Sequence, residues 1–264
     1  MKLSGVQTDV RILILGSSGS GKTHFGSTLC KLIPDTLVVT SELSGLTTLK
    51  TLGVDPEIIY IDDWRRIWDQ YDNIVKASKN HRAILIDDLG ATQMAARRKV
   101  DYMPRGAREE KLSPREMEQQ FRKELLLGER PLRIQDWGGI WIAMENFIGE
   151  ILGLSFQIKL VTCLEAVFTN PRTEQEEITI ALSGQAKTTL PARFSLVAET
   201  FIANLDGKFH FCLSCLPHPR VETKTRYGVG RLWENPDMAK ILAYISGKDE
   251  PETELEKKIR ERCW

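Results

Sequence analysis

The sequence predicts an α/β fold: a mostly parallel sheet with helices on both faces and an antiparallel β-hairpin at its edge. Three observations predict it. Short apolar, β-branched runs at residues 10–15, 36–40, 58–61 and 83–86 alternate with helical stretches, the rhythm of right-handed βαβ units. The first run opens directly onto closely spaced glycines and then a helical pattern. After Asn170 the chain changes character. Residues 178–182 read as a strand, and 194–205 with 208–216 read as a hairpin, because Asp206-Gly207 supplies the positive-φ turn that a two-residue connection needs.

In chain order, residues 10–15 (Val-Arg-Ile-Leu-Ile-Leu) form a buried parallel strand, followed by a helix from Lys22 to about Leu32. A strand at 36–40, a short helix near 44–52 and a strand near 58–61 come next. Asp62 or Asp63 then caps a helix on which Trp64, Ile67, Trp68, Tyr71, Ile74 and Val75 recur at spacings of three and four. That stripe is a core face, with stacking on a nucleotide base as the alternative. Residues 83–86 (Ala-Ile-Leu-Ile) are another buried strand, ending in Asp87-Asp88. The rhythm breaks over 95–133, which carries Arg97, Arg98, Lys99, Arg105, Arg108, Lys111 and Arg115 together with Pro104 and Pro114. It reads as an excursion from the core. A helix at about 141–154 and a central strand at 158–168 follow. The tail 235–264 reads as helical, mixed in charge and solvated.

At 264 residues and 42% hydrophobic, the chain can bury one large core, so 1–264 reads as a single domain. No run approaches the roughly 20 apolar residues needed to span a bilayer, and residues 1–9 lack a secretion signal, so no membrane role and a cytoplasmic location are expected. The five scattered cysteines, Cys30, Cys163, Cys212, Cys215 and Cys263, read as reduced thiols. Thirty-six basic residues balance thirty-six acidic ones, so attraction to nucleic acid must come from a local patch or from assembly.

Gly16-Ser17-Ser18-Gly19-Ser20-Gly21-Lys22-Thr23 matches the phosphate-binding loop: Gly, four residues, Gly-Lys, then Ser or Thr. Glycines at 16, 19 and 21 let the backbone curl so that N–H groups point at phosphate oxygens, and the helix that follows adds its positive end. Lys22 can reach the β- and γ-phosphates, and the Thr23 hydroxyl can ligate magnesium, so ATP with Mg2+ is the expected ligand. Asp87 stands at the carboxyl end of an apolar strand, where open α/β sheets bind ligands, and suits a magnesium carboxylate. An Asp-Asp pair after a strand is also a common turn or helix cap; Asp88 is second choice, as a group that polarises water. Glu42, just past the second strand, could orient the attacking water. An acid near a helix start is equally favoured by the helix dipole.

Over residues 16–87 the chain resembles the RecA superfamily of ATPases. The segment 37–61, with Leu-Val-Val-Thr-Ser-Glu followed by Leu-Gly-Val-Asp at 52–55, is similar to the stretch in which a strand leads to the catalytic glutamate. The resemblance implies that Glu42 is the water-activating base. Lys224-Thr225-Arg226 resembles the Lys-x-Arg pair that KaiC-type relatives present to a neighbouring subunit's nucleotide, which implies a homo-oligomer with nucleotide at subunit interfaces. The other reading of this pair is an exposed strand end. Leu182-Ser183-Gly184-Gln185, Leu190-Pro191-Ala192-Arg193-Phe194 and the hairpin after them are similar to short RecA-like ATPases of bacteriophages, some of which anneal single-stranded DNA. For a phage protein the location would be the host cytoplasm. Two departures stand out. Val161-Thr162-Cys163-Leu164-Glu165 offers no amide to sense the γ-phosphate, so Thr162 or Glu165 would have to serve. RecA's separate DNA-binding and filament-forming end domains are not found.

Cys212 and Cys215, with His210 and His218 nearby, invite a zinc reading, but on a strand residues 212 and 215 point to opposite faces. The basic excursion, with Arg133, Trp137 and Trp141 beyond it, could hold single-stranded DNA by phosphate contacts and stacking, or be a solvated loop. The expectation is therefore a Mg-dependent ATPase of RecA-like fold acting on single-stranded DNA in phage recombination or replication. A nucleotide-dependent interaction switch with little turnover, or a P-loop small-molecule kinase with the excursion as its lid, are the alternatives.

Overall fold

The computed structural model describes residues 9–61, 67–101, 134–169, 174–248 and 250–264. Val10–Gly16 (β1) sits mid-sheet, and its side chains alternate: Ile12 and Ile14 enter one apolar layer, Leu13 and Leu15 the other. A strand buried on both faces has no polar side to show, which is why it reads as a continuous apolar run. Thr36–Thr40 (β2), Glu57–Tyr60 (β3), Ala83–Ile86 (β4) and Ile158–Thr169 (β5) complete the parallel core with β1. Leu196–Leu205 (β7) also runs parallel to β1, on its other side.

Lys208–Ser214 (β8) and Leu232–Glu234 (β10) add the antiparallel edge, so the path reads β10-β8-β7-β1-β5-β4-β2-β3. Glu176–Ile180 (β6) pairs antiparallel with the far half of β5, and Lys224–Thr225 (β9) with the start of β7. The expected hairpin turn is present: Asp206 and Gly207 have φ of 52° and 80°, the doubly positive pair of a type I′ turn.

One layer of helices comprises Lys22–Leu32 (α1), Ser44–Thr51 (α2) and Met238–Ile245 (α7). The other comprises Ile67–Ala77 (α3), Leu89–Asp101 (α4), Ile134–Gly153 (α5) and the short Ala186–Thr189 (α6). Glu254–Cys263 (α8) closes a third, smaller apolar cluster under the hairpin. Its start carries a capping box, with the Thr253 hydroxyl accepting from the Glu256 N–H and the Glu256 carboxylate accepting from the Thr253 N–H. Among the described residues no helix is long and apolar enough to cross a membrane.

Two expectations are corrected. The excursion does not begin at Ala95: α4 continues through Asp101, and Ala95 and Ala96 are buried against the core. The remainder of the excursion, 102–133, lies outside the described residues, as do Asp62, Asp63 and Trp64. The tail is not simply solvated. Met238, Ile241 and Tyr244 of α7 are buried among Phe25, Leu29 and Trp233, because this helix carries an apolar face that the charged α8 lacks.

Candidate functional site

The strand order sets the site. β5 lies between β1 and β4, so the loop leaving β1 and the acids leaving β4 meet across the middle of β5. In the loop, Gly19 and Gly21 adopt φ of 79° and 96°, a left-handed backbone that favours glycine, and a Cβ on Gly19 would meet nothing within 4 Å. Gly16 is needed for a different reason: β7 passes so close that a Cβ there would stand 2.5 Å from the Thr200 carbonyl oxygen. Thr200 also shares a 2.7 Å hydrogen bond with the buried Ser20 hydroxyl, which ties the loop to β7.

The Lys22 ammonium donates to the Gly16 and Ser17 carbonyls at 2.8 and 2.7 Å, so the side chain lies folded back along its own loop. Burial lowers its pKa, opposed by the negative charges of Asp88 and Asp87. The Thr23 hydroxyl donates to Asp87 Oδ2 at 2.9 Å, and the Thr162 hydroxyl donates to Asp87 Oδ1. Thus the loop threonine and the strand-end aspartate, 64 residues apart in sequence, are brought together. A hydroxyl and a carboxylate are hard oxygen donors. They suit magnesium, which keeps much of its water and takes one or two protein ligands beside phosphate oxygens.

Asp88 serves as a helix cap. Its Oδ1 accepts from the Ala91 N–H at 2.7 Å at the start of α4. Burial raises its pKa, the Ala91 N–H opposes this, and the Asp87 and Glu42 charges raise it further. Glu42 is exposed in the turn between β2 and α2 and faces the same cleft as Lys22 and Asp87. Its N–H donates to Thr40 Oγ1 at 3.0 Å, and its carboxylate accepts from the Ser44 hydroxyl.

Lys224 and Arg226 are not among the residues lining this cleft. They stand beside the start of β7, where Lys224 pairs with Val197, whereas Gly16 of the loop pairs with Thr200 farther along. Burial and the nearby Arg226 charge lower the Lys224 pKa. Cys212 and Cys215 enter different apolar clusters, and among the described residues no group of three or more His, Cys, Asp or Glu side chains is arranged to hold a metal ion.

The sequence reasoning missed several residues in the site and beside it. Glu199 on β7 is buried at 7% exposure and hydrogen-bonded to Glu165 on β5. Burial pushes its carboxyl up to about 8, and the neighbouring Glu165 charge adds to this. Glu165 is shifted upward as well, chiefly by burial. Thr200 and Phe211 of the hairpin, and the corner Asn235-Pro236-Asp237, line the cleft of about 800 Å3. The one sequence signal for Phe211 was its alternation with Phe209 along a hairpin strand, which places both rings on one face.

The family described as an AAA domain matches residues 8–227. No curated protein sequence matches the chain. Among solved structures, the crystal structure of the RadB recombinase is similar at 12% identity and a TM-score of 0.46, over 88% of this chain and 89% of that one.

Proposed function

We propose, from the premise that this chain belongs to the AAA-domain family, that it is a RecA-like, Mg-dependent ATPase acting on single-stranded DNA in phage recombination or replication. One observation carries the ATPase reading: the 2.9 Å hydrogen bond from Thr23 to Asp87, which joins phosphate loop and strand-end acid into one oxygen-rich site beside Lys22.

Gly16, Ser17, Ser18, Gly19, Ser20 and Gly21 wrap the phosphates. Lys22 leaves the Gly16 and Ser17 carbonyls to neutralise phosphate oxygens, which offer its charge a stronger partner than two neutral carbonyls do. Thr23 and Asp87 hold the metal, and Thr162 orients Asp87. Magnesium supplies charge neutralisation at the phosphate oxygens when bound. Glu42 accepts the proton of the attacking water, a role its exposure at the mouth of the cleft supports. Asp88 acts as helix cap first and as a water-polarising group second.

Lys224 and Arg226 reach a neighbouring subunit's nucleotide in a homo-oligomer, a reading supported by their separation from the cleft of their own chain. Single-stranded DNA is met by the basic stretch after α4. That helix starts one residue after Asp88, so it links the phosphate site to the stretch carrying Arg105, Arg108, Lys111 and Arg115.

Turnover of ATP with and without single-stranded DNA is the test, on wild type, Lys22→Ala and Glu42→Gln. The expected outcome is DNA-stimulated turnover that Lys22→Ala abolishes together with binding. Glu42→Gln should lose roughly 100-fold or more of turnover while still binding ATP, the range for a removed general base. Turnover indifferent to DNA removes the proposed task. Turnover unchanged in Glu42→Gln removes that residue's role.

A further inference from the structure

The phosphate-binding residues occupy one end of a cleft of about 800 Å3, more space than a triphosphate and its metal fill. From Gly21 the cleft continues to β8, where the Phe211 ring is its apolar wall. A Cβ on Gly21 would come within 3.4 Å of the ring, so the ring lies directly over the start of α1. Phe211 is 47% exposed, while Cys212 and Leu213 after it are buried. An aromatic face is thus left uncovered beside the phosphate loop.

The lining beside Phe211 is braced. The Asn235 N–H donates to the Phe211 carbonyl at 2.8 Å. Asp237 caps α7 by accepting from the Lys240 N–H at 2.9 Å, and the Thr28 hydroxyl of α1 accepts from the Met238 N–H at 2.9 Å. These bonds hold the corner between β10 and α7 against both β8 and α1. The corner and Phe211 are thus fixed together as one preformed part of the cleft lining.

We infer that Phe211 is the seat of the nucleobase, a binding residue that takes the base by its π-face. The inference rests on the reading of 16–23 as a triphosphate loop. The occupant follows from continuity: a base is tethered to the phosphates held at Lys22 and Thr23, and stacking it on Phe211 covers the exposed ring. Base–aromatic stacking tolerates any base and grows with overlap, so a purine covers the ring better than a pyrimidine. The competing occupant is a second copy of the chain lying on the hairpin, where Ile202 of β7, which pairs with Phe211 of β8, and Phe209 are also exposed.

Calorimetric titration of the full chain with MgATP and, separately, with magnesium tripolyphosphate tests this, on wild type, Phe211→Ala and Phe211→Tyr. Phe211→Ala should weaken MgATP about tenfold, as loss of one stacked base does, and leave tripolyphosphate affinity unchanged. Phe211→Tyr, which keeps the ring, should bind both as wild type does. Undiminished MgATP affinity in Phe211→Ala overturns the seat. Equal weakening of both ligands also overturns it, because Phe211 would then act on the loop's shape. Wild-type protein binding neither ligand overturns the triphosphate reading itself and the seat with it.

Discussion

Gly16 ends β1, pairs with Thr200 of β7 and begins the phosphate loop. A Cβ added there would stand 2.5 Å from Ser20 Oγ and 2.5 Å from the Thr200 carbonyl oxygen, and as close to Thr200 Oγ1. The carbonyl belongs to a paired strand and cannot withdraw without breaking sheet register. The Ser20 hydroxyl could rotate away, but only by giving up its buried 2.7 Å bond to Thr200. Overpacking of this kind costs about 1–3 kcal/mol, and the lost bond adds about 1 kcal/mol, so Gly16→Ala should destabilise by about 2–4 kcal/mol. Gly19→Ala is the control. Its φ of 79° is strained for alanine, but nothing lies within 4 Å, so roughly 1–2 kcal/mol is expected. Urea unfolding of both variants, with slopes compared, measures the difference. If Gly16→Ala proves as stable as Gly19→Ala, the close approach of β7 is not what requires glycine at this position. Adding Thr200→Ala to Gly16→Ala should restore only part of the loss, since the carbonyl stays in place.

Glu199 carries a pH signature. Its carboxyl ordinarily titrates near 4.5 but is raised to about 8 in the fold, so the native state keeps a proton that the unfolded chain sheds. Stability should therefore fall as pH rises from about 4.5 to about 8, and Glu199→Gln should gain on wild type by a few kcal/mol across that window at about 1.4 kcal/mol per pH unit. Parallel pH profiles in thermal melts would contradict the shift. For the inter-subunit role, mixing Lys22→Ala chains with chains carrying both Lys224→Ala and Arg226→Ala should recover turnover that neither has alone. No recovery in the mixture rules out donation between subunits. Ile241→Ala, at a fully buried position of α7, should cost about 2–5 kcal/mol in urea unfolding, and a negligible loss would show that α7 is dispensable to the core.

Parts of the fold were legible because burial on both faces leaves an unmistakable pattern. β2 and β4 are legible residue for residue at 36–40 and 83–86, where every position is buried. The Asp206-Gly207 turn was legible because few residues tolerate two successive positive φ values. The buried part of the tail is not legible in the sequence because the apolar α7 and the charged α8 average to a mixed composition. Residues 95–101 read as excursion because Arg97, Arg98 and Lys99 are basic, although they continue α4 and Ala95 and Ala96 are buried in the core.

The phosphate loop, the acids after β4 and the alternation of strands with helices are determined by the sequence alone, because each depends on neighbours a few residues away. Spacing, backbone freedom at glycine and apolar periodicity are local physics. The tertiary structure decided the rest: that Thr23 meets Asp87 and Thr162, that Thr200 locks the loop through Ser20, that Glu199 is buried against Glu165, and that Phe211 faces Gly21. These pairs are joined by strand order and register, which bring β7 and β5 to either side of β1. No local pattern encodes them, since the energy that selects that order is spread over the whole buried core.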